Sequence, residues 1–310
     1  MILSVTPNPC VDKTIFLDEM AVGKKNVSRR VTTIPGGKGN NVARVVKALG
    51  GESAALVLVG GAPGQHVVDM ITGDDGIRCH PVWIAENTRT ITTVLEEGPH
   101  RQTPLFEPGP RVSAEERAAF IEAVVGRLPG TAILTLNGTV PDPILHDVYA
   151  AIIPRAKAAG VLTILDTHGP ELAQGLAAAP YMVKPNDVEA AELVGFPLES
   201  DDARWRAVDC FHEQGVRLVV LSMGAAGLLI SDGTERLRVV PPAIREVNAV
   251  GSGDSLVGGI ALGLLRQWPL EQTAAWGAAA GTVNAMQWDI GRVTLDEVAR
   301  VAREVTVTRC

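Results

Sequence analysis

A short glycine-rich turn near the C-terminus presents one carboxylate at the start of an apolar helix. The run Gly251-Ser252-Gly253-Asp254 precedes a helix that is expected to begin near Ser255. Glycines let successive N–H groups face one concavity, and a helix N-terminus adds partial positive charge there. Gly251, Ser252 and Gly253 therefore predict an anion hole. Asp254 beside it predicts a general base that takes a hydroxyl proton, although the pattern also fits a plain helix entry in which Asp254 only balances the helix dipole.

A second glycine-rich string, residues 35–42, precedes the first long helix. It is not a P-loop, because no Ser or Thr follows Lys38, and it lacks the dinucleotide fingerprint GxGxxG. Its glycines would let a substrate approach the main chain, while Lys38, Asn40 and Asn41 offer a charge and directional hydrogen bonds suited to a polyol. The alternative for Asn40 is that it only caps the helix.

Length and composition limit the classes of protein to which the chain can belong. Its 310 residues, 46% hydrophobic and 20% charged, suit one large α/β domain or two small ones. The net charge is −7 and the cations are dispersed, which disfavours a nucleic-acid partner. Four cysteines without a CxxC pair predict a reduced cytoplasmic setting, and the histidines lack zinc-site spacing. A secretory leader and an apolar run of about 20 residues are both lacking, so neither export nor a membrane partner is expected.

Short apolar runs alternate with helical patterns along the chain. The runs that predict buried parallel strands are residues 54–59, 131–136, 161–165, 181–183 and 218–221. Helices are expected over residues 39–49 and from Pro143 to Gly160, and Ser113 with Glu116 predicts a capping box. This alternation predicts a doubly wound, mostly parallel sheet with helices on both faces. Its ligand crevice would lie at the carboxyl ends of the strands, where Asp254 is expected.

Four further segments have strand character without helices between them. They are residues 14–18, 29–33, 88–95 and 103–106, joined by polar or Pro/Gly turns. They predict a small β-sheet lid that covers substrate and excludes water, although two surface hairpins would give the same pattern. We expect one domain over residues 1–310, with a discontinuous lid from about 12–34 and 86–107.

The two glycine strings resemble the two signatures of the ribokinase-like, PfkB-type carbohydrate kinases. Residues 36–43 are similar to the first signature and residues 248–254 to the second. Further matches, in the order that the family has them, are residues 6–9, Asp12, Thr88-Arg89, residues 107–110, Asp166-Thr167, Lys184-Pro185-Asn186, Glu189 and Ser222-Met223-Gly224. Within the family, residues 6–9 and Lys38 look most like 1-phosphofructokinase and tagatose-6-phosphate kinase, whose substrates already carry a phosphate.

The resemblance implies a three-layer α/β/α fold and transfer of the γ-phosphoryl group of MgATP to a hydroxyl of a ketohexose phosphate. Fructose 1-phosphate, converted to fructose 1,6-bisphosphate, is the expected substrate, ATP and Mg²⁺ are the expected cofactors, and a homodimer through the lid strands is the expected assembly. The alternatives are a kinase of tagatose 6-phosphate or fructose 6-phosphate, a kinase of an unphosphorylated sugar or nucleoside, and a non-catalytic sugar-phosphate sensor. A nicotinamide dehydrogenase would need a dinucleotide fingerprint that the sequence lacks.

The resemblance also implies a role for individual residues. Asp254 matches the general base, with Gly251, Ser252 and Gly253 as the anion hole. Positions that match contacts to the sugar are Asp12, Gly37, Lys38, Asn41 and Asn137. Arg89, with Lys38 and Lys25, would bind the phosphate that the substrate already carries. Positions expected to border the nucleotide are Lys184, Asn186, Ser222, Gly224, Gly227 and Asn284. Asn186 and Glu189 would help to place Mg²⁺ through water, although the pair also fits a helix cap.

Four positions depart from the family pattern. Asn137 and Thr139 stand where Ser is common, His168 follows Asp166-Thr167 where Ser is frequent, and Phe106 stands where Asn is common. These changes leave the predicted base and anion hole intact. They leave the identity of the sugar open, because Asn137 and Phe106 would alter the polar contacts around it.

Overall fold

The computed structural model describes residues 1–99 and 101–310. The strands in chain order are β1 (Ile2–Thr6), β2 (Cys10–Leu17), β3 (Arg30–Gly36), β4 (Ser53–Val59), β5 (Arg78–Trp83), β6 (Arg89–Glu96), β7 (Arg101–Phe106), β8 (Ile133–Asn137), β9 (Leu162–Asp166), β10 (Met182–Val183), β11 (Leu218–Ser222), β12 (Leu228–Ser231), β13 (Arg236–Val240) and β14 (Thr306–Arg309). The helices are α1 (Lys38–Ala48), α2 (Gly61–Asp69), α3 (Ala114–Val125), α4 (Val148–Ala158), α5 (Gly169–Ala177), α6 (Asp187–Val194), α7 (Asp201–Glu213), α8 (Ser252–Leu265), α9 (Leu270–Ala285) and α10 (Leu295–Ala302). None of the helices in these two ranges combines the length and apolar character needed to cross a bilayer.

Ten of the described strands form one central sheet in the order β14-β13-β12-β11-β10-β9-β8-β1-β4-β5. The seven strands from β11 to β5 run parallel, and β12, β13 and β14 add an antiparallel edge. All five runs predicted as buried parallel strands are found in the parallel part. The predicted doubly wound, mostly parallel sheet is confirmed.

Helices cover both faces of this sheet, because successive side chains of a buried strand point to opposite sides. On β1, Leu3 and Val5 pack in a core with residues of α3, α4, α5, α6 and α7. Ile2 faces the other side of the sheet and packs with Val42 of α1 and with apolar residues of α8 and α9. The predicted three-layer α/β/α arrangement is therefore confirmed.

The second sheet has the order β3-β2-β6-β7. Strands β2 and β6 run parallel, with Cys10 opposite Arg89, and β3 and β7 pair antiparallel on the two outer sides. The four segments predicted to have strand character thus join in one small sheet, and the alternative of two separate surface hairpins is wrong. The order brings Asp12 of β2 beside Ile91 of β6, in the middle of the sheet.

Two helix predictions differ from the structure. The segment from Pro143 to Gly160 is not one helix, because Asp142 caps a separate 3₁₀ turn at Pro143–Leu145 and α4 begins at Val148. Helix α8 begins at Ser252, not near Ser255, and Gly251 is its N-cap residue. The glycines of the predicted anion turn therefore overlap the first helical turn, which places Asp254 inside α8.

Candidate active site

A cavity of about 1170 Å³ lies where the carboxyl edge of the central sheet meets the small sheet. Its lining includes residues at or just beyond the ends of parallel strands, among them Thr6, Asn137, Lys184 and Ser222. The same cavity is lined by Asp254 and by residues of all four strands of the small sheet. The crevice thus lies at the edge predicted from the order of strands and helices.

In the described part of the chain, the turn before Asp254 leaves the N–H groups of Gly251, Gly253 and Asp254 free for an anion. Gly251 has φ 80° and ψ −1°, a left-handed conformation that favours glycine. The N–H of Ser252 is used inside the turn, where it donates to the carbonyl of Ala249 at 3.1 Å. The N–H groups of Gly251, Gly253 and Asp254 are given no backbone acceptor by residues 1–99 and 101–310. The anion site therefore lacks one of the predicted backbone donors, because the N–H of Ser252 is used inside the turn.

Asn284 holds this turn in place from α9. Its side-chain Nδ2 donates to the carbonyl of Val250 at 2.8 Å and to Oγ of Ser252 at 3.1 Å, and its Oδ1 accepts the N–H of Gly291 at 2.7 Å. Asn284 is almost fully buried and lies behind the cavity wall. We expected Asn284 to border the nucleotide, whereas in this structure its amide supports the residues that do line the cavity.

Asp254 combines burial with access to the cavity. Its side chain is nearly buried, and its Oδ2 accepts a hydrogen bond of 2.7 Å from Nδ2 of Asn41. Burial raises the pKa of Asp254 to about 6, opposed by the charge of Lys38 and by the Asn41 hydrogen bond and reinforced by the charge of Asp166. A carboxylate whose pKa lies close to neutral can take a proton from a hydroxyl and release it again.

Two lysines share one buried carboxylate beside Asp254. Oδ1 of Asp166 lies 3.1 Å from Nζ of Lys184 and 3.5 Å from Nζ of Lys38. Burial alone would raise the pKa of Asp166, but the charges of Lys184 and Lys38 lower it, and Asp166 in turn raises the pKa of Lys38. The shared carboxylate therefore favours the charged form of Lys38, and both lysines line the cavity. Our sequence reasoning gave Asp166 no role, although an Asp that ends a buried parallel strand is a signal for one.

Asn186 and Glu189 lie together at the start of α6 and line the cavity. Oδ1 of Asn186 accepts the N–H groups of Val188 and Glu189, and Oε2 of Glu189 accepts the N–H of Asn186, each at 2.9 Å. The helix-cap alternative is thus realised. It leaves Oε1 of Glu189 outside the cap, and Mg²⁺ usually needs only one or two carboxylates besides phosphate and water oxygens. These residues therefore fit an ion held mainly by phosphate and water.

Some residues of the glycine-rich string before α1 hold the helix in place, and others line the cavity. Gly37 is the N-cap residue, with φ 114°, so Asn40 is not the helix cap and that alternative is wrong. Asn40 instead donates to the carbonyl of Gly36 at 2.8 Å and accepts from Oγ1 of Thr6 at 3.3 Å. These bonds fasten α1 to the end of β1. They leave Gly37, Lys38 and Asn41 in the cavity lining, where sugar contacts were predicted.

Asp12 and Arg89 bring charge to the cavity from the small sheet. Burial raises the pKa of Asp12, and the charge of Arg44 opposes this rise. Nη2 of Arg89 donates to the carbonyl of Asn8 at 3.4 Å, while its buried Nε has no partner within the described ranges. Lys25, in contrast, is exposed between β2 and β3 and lies outside the cavity lining, so this conformation brings Arg89 and Lys38, but not Lys25, to the cavity.

The positions that depart from the family pattern all line the cavity. They are Phe106, Asn137, Thr139 and His168. Asn137 is fully buried, and its Nδ2 donates to Oγ1 of Thr135 at 2.8 Å. Phe106, at the end of β7, is 64% exposed. Side chains on both sheets therefore contribute to the part of the cavity that differs from the usual pattern.

The opposite end of the cavity is lined by Ser222, Gly224 and Gly227, as predicted for a nucleotide site. Sequence reasoning missed two more segments of this wall, residues 240–244 and the small residues Ala278, Gly281 and Thr282 of α9. The signals for these segments were Pro241-Pro242 after a strand and small residues at helical spacing, both of which are also typical of ordinary packing. Together these segments add mostly apolar residues to the cavity lining.

Similar proteins and solved structures cover nearly the whole chain. The family model of the pfkB family carbohydrate kinases matches residues 5–287 of the chain. Tagatose-6-phosphate kinase of Staphylococcus epidermidis is 31% identical over 312 residues, which cover 99% of each chain, and 1-phosphofructokinase of Bacillus subtilis is 32% identical over 309 residues, which cover 100% of each. The tetrameric inhibited form of phosphofructokinase-2 from Escherichia coli superposes with a TM-score of 0.90 at 28% identity, covering 98% of each chain.

These matches agree with the two glycine signatures and with the order of motifs between them. The matched region includes every predicted site residue, from Asp12 through Asn284. Membership of this carbohydrate kinase family implies the use of ATP. The chain belongs to the pfkB family of carbohydrate kinases and is a phosphotransferase of that family.

Proposed function

We propose that this kinase transfers the γ-phosphoryl group of MgATP to a hydroxyl of a ketohexose phosphate, with fructose 1-phosphate as the favoured substrate. The observation that carries the proposal is Asp254, a buried carboxylate with a pKa of about 6, next to the free N–H groups of α8 and across the cavity from Arg89. Such a carboxylate deprotonates the acceptor hydroxyl as the phosphoryl group arrives. The backbone donors and the helix N-terminus stabilise the charge on the transferred group.

The two lysines supply the positive charge that phosphoryl transfer requires. Lys184 and Lys38 both pair with Asp166, which raises the pKa of Lys38. Lys184 lies close to the turn, since a Cβ built on Gly253 would be 3.5 Å from its Nζ. We therefore assign Lys184 to the nucleotide phosphates and Lys38 to the region between nucleotide and sugar. Most of the rate enhancement would come from this positioning and charge stabilisation, because phosphoryl transfer needs little covalent chemistry from the protein.

Mg²⁺ would be held at Asn186 and Glu189, chiefly through water. When bound, the ion would supply positive charge that offsets the negative charge developing during phosphoryl transfer. The residues of the chain that act with it are Glu189, whose Oε1 is outside the helix cap, and Lys184, whose charge faces the same phosphates. The capping bonds hold the Asn186 and Glu189 side chains in fixed orientations, which favours a preorganised site.

A substrate that already carries a phosphate is supported by charge and by the relatives. Arg89 has a buried Nε without a partner in the described ranges, and a guanidinium can bind phosphate in bidentate fashion. The relatives named above are a tagatose-6-phosphate kinase and a 1-phosphofructokinase, at 31% and 32% identity. Residues 6–9 and Lys38 resemble 1-phosphofructokinase and tagatose-6-phosphate kinase alike, so we propose fructose 1-phosphate as the substrate and keep tagatose 6-phosphate and fructose 6-phosphate as the alternatives.

A substrate panel tests the proposal. Fructose 1-phosphate, fructose 6-phosphate, tagatose 6-phosphate, ribose and adenosine would each be incubated with MgATP, and ADP formation would be measured. The proposal expects the highest kcat/KM for fructose 1-phosphate and little turnover of ribose or adenosine. Higher kcat/KM for an unphosphorylated sugar would refute the substrate class. ADP formation with none of the compounds, together with tight binding of a sugar phosphate, would favour a non-catalytic sensor.

We propose a homodimer in which the small sheets of two copies face each other. The support is the side of this sheet that lines the cavity, where Ile34, Ile91 and Phe106 are apolar and Phe106 is 64% exposed. Paired sheets would also cover the open side of the cavity and exclude water. Small-angle scattering combined with sedimentation would test this arrangement. A monomer at micromolar concentration, or a dimer whose envelope leaves the small sheets apart, would refute it.

A further inference from the structure

Arg44 is a buried guanidinium behind the wall of the cavity. It is only 4% exposed, and it lies on α1, one helical turn after Asn41. Its Nε and Nη2 bind Oδ2 of Asp75 at 3.0 and 2.9 Å, so its charge is balanced by a carboxylate that is itself buried. Its remaining N–H groups are directed to three other parts of the fold.

The first of these contacts fixes the side-chain amide of Asn41. Nη1 of Arg44 donates to Oδ1 of Asn41 at 3.0 Å, and Nδ2 of Asn41 donates to Oδ2 of Asp254 at 2.7 Å. An amide can present either its oxygen or its nitrogen to a neighbour. Because Arg44 is a donor only, it selects the orientation in which Asn41 offers N–H to the Asp254 carboxylate.

The other contacts reach the two segments that close the cavity. Nη2 of Arg44 donates to the carbonyl of Pro35 at 3.1 Å, at the end of β3 in the small sheet. Nη1 also donates to the carbonyl of Ile290 at 3.0 Å. Ile290 lines the cavity and packs against the anion turn, because a Cβ built on Gly251 would collide with it. One guanidinium therefore bonds to the lid strand, to the loop over the turn and to the partner of Asp254.

We propose that Arg44 is a positioning residue for phosphoryl transfer, which orients Asn41 toward Asp254 and ties the lid strand and the Ile290 loop to the same point. The inference rests on the proposed role of Asp254 as the base. It assigns Arg44 no contact with substrate, and its effect on the reaction passes through Asn41.

The proposal has a consequence for the protonation of Asp254. The charged groups that face Asp254 are Lys38, Lys184 and Asp166, and Asn41 adds the hydrogen bond that stabilises the carboxylate. If the Asn41 amide is released, that bond is lost or reversed, and protonation of Asp254 becomes easier. Loss of Arg44 should therefore shift the acid limb of the kcat profile to higher pH, as well as lower kcat.

The test is a double-mutant cycle with Arg44→Met, Asn41→Ala and the combination. For Arg44→Met we expect kcat at neutral pH to fall by about 100-fold. We also expect the midpoint of the acid limb of the kcat profile to move to higher pH by about one unit. In the Asn41→Ala background, Arg44→Met should have little further effect on the limb, because the orienting bond is already gone. Additive effects on kcat and on the limb would overturn the proposal, since they would indicate a structural role that does not pass through Asn41.

Arg292→Gln is the matched control. Arg292 lies 3.3 Å from the other oxygen of Asp75 and is 42% exposed, so this variant removes a cation from the same carboxylate but leaves Asn41 untouched. Its pH profile should match that of the wild type, and a shift equal to that of Arg44→Met would overturn the proposal. If Arg44→Met does not fold, as judged by circular dichroism, Arg44→Gln, which is neutral and shorter than arginine, replaces it in the same cycle with the same expected signs.

A readout independent of turnover separates this inference from the proposed function. The carboxyl carbon of Asp254, labelled with ¹³C and assigned through Asp254→Asn, would be titrated by NMR in the wild type and in Arg44→Met. A higher titration midpoint in the variant supports the role of Arg44 even if no sugar phosphate is turned over, in which case only the proposed reaction fails. An unchanged midpoint in folded protein overturns the inference, whatever the activity.

Discussion

Asn41 and Asp254, 213 residues apart in the sequence, are joined by a 2.7 Å hydrogen bond. The bond connects the first turn of α1 to the first turn of α8, so the two glycine-rich strings that the sequence singles out meet at one carboxylate. Lys38 lies on the same helical turn as Asn41 and opposes the rise in the pKa of Asp254. The protonation of Asp254 is therefore set by groups on another element of the chain, which makes it a sensitive target for mutation.

Asp254→Asn should lower kcat by a factor of about 10² to 10⁴, because the amide cannot accept the hydroxyl proton. The affinity for ATP should change little, since the variant keeps the size of the side chain and the N–H groups of α8. Turnover and nucleotide binding would be measured in parallel. Asp69→Asn, an exposed change on α2, is the control and should have wild-type kcat. Near-normal turnover of Asp254→Asn would rule out the assigned base.

The activity should depend on pH through Asp254. Because its pKa is raised to about 6, kcat/KM should increase with pH through that region and level off above it. Stability should show the opposite trend. Between about pH 4 and 6 Asp254 binds more proton in the folded protein than in the unfolded chain, so the contribution of this group to the free energy of unfolding falls as the pH rises through the window.

Asp254→Asn removes that cost and should be more stable than the wild type above pH 6, by on the order of 1–3 kcal/mol. Denaturant unfolding at pH 5 and pH 8 would measure the difference. A variant that is less stable than the wild type at pH 8 would show that the carboxylate is stabilised where it lies, against the direction of its pKa shift.

Arg89→Ala should raise KM for phosphorylated sugars by about 10- to 100-fold, because a charge-assisted contact to the substrate's phosphate is lost. The matched control is Arg30→Ala, which removes another arginine of the small sheet. Arg30 stacks on Phe16, 3.8 Å from the ring centroid, and lies outside the cavity lining. Steady-state kinetics with fructose 1-phosphate would compare the two variants. An equal rise in KM for an unphosphorylated sugar would contradict the assignment of Arg89.

Gly251→Ala should destabilise the anion turn and lower kcat. An alanine at φ 80° costs about 1–2 kcal/mol, and its Cβ would also collide with Ile290. Gly130→Ala is the matched control, because Gly130 has φ 84° with nothing within 4 Å of a built Cβ. Urea unfolding should show a larger loss for Gly251→Ala than for Gly130→Ala, and only the former should lose activity. Equal losses would mean that the collision is relieved at no cost.

Glu189→Gln should raise the Mg²⁺ concentration needed for half-maximal activity, because it removes the carboxylate and keeps a side chain that can complete the helix cap. The melting temperature should stay close to that of the wild type. Activity would be measured as free Mg²⁺ is varied at fixed MgATP. An unchanged Mg²⁺ dependence would assign Glu189 to the helix cap alone.

The fold was predictable where side-chain patterns were unambiguous. Residues 54–59 and 218–221 are continuous apolar runs, and both are buried parallel strands. The antiparallel edge was not predicted, because β13 and β14 alternate apolar with charged or polar residues and occupy the margin of the sheet. Helix α8 begins earlier than expected because Gly251, in a left-handed conformation, caps it ahead of two residues of low helix propensity.

The site was predictable where residue type implies chemistry and not where a side chain acts through a neighbour. The glycine strings, Lys38 and Asp254 were recognisable as site residues from their residue type and spacing. Arg44 was not, since an arginine in a helix is usually a surface residue, and Asn284 was expected from the resemblance to border the nucleotide, not to support the turn. Only the structure shows that both are buried and that each makes several hydrogen bonds to loops distant in sequence.

The two sheets supply different side chains of the site, and this has an evolutionary consequence. The side chains that set the charge of Asp254 come from α1 and from the carboxyl edge of the central sheet, whereas Asp12, Arg89 and Phe106 come from the small sheet. Asp12, Arg89 and Phe106 could therefore be substituted during evolution without changing the side chains that set the charge of Asp254. Part of the cavity lining can thus change within the four strands of the small sheet, while the residues proposed to transfer the phosphoryl group stay the same.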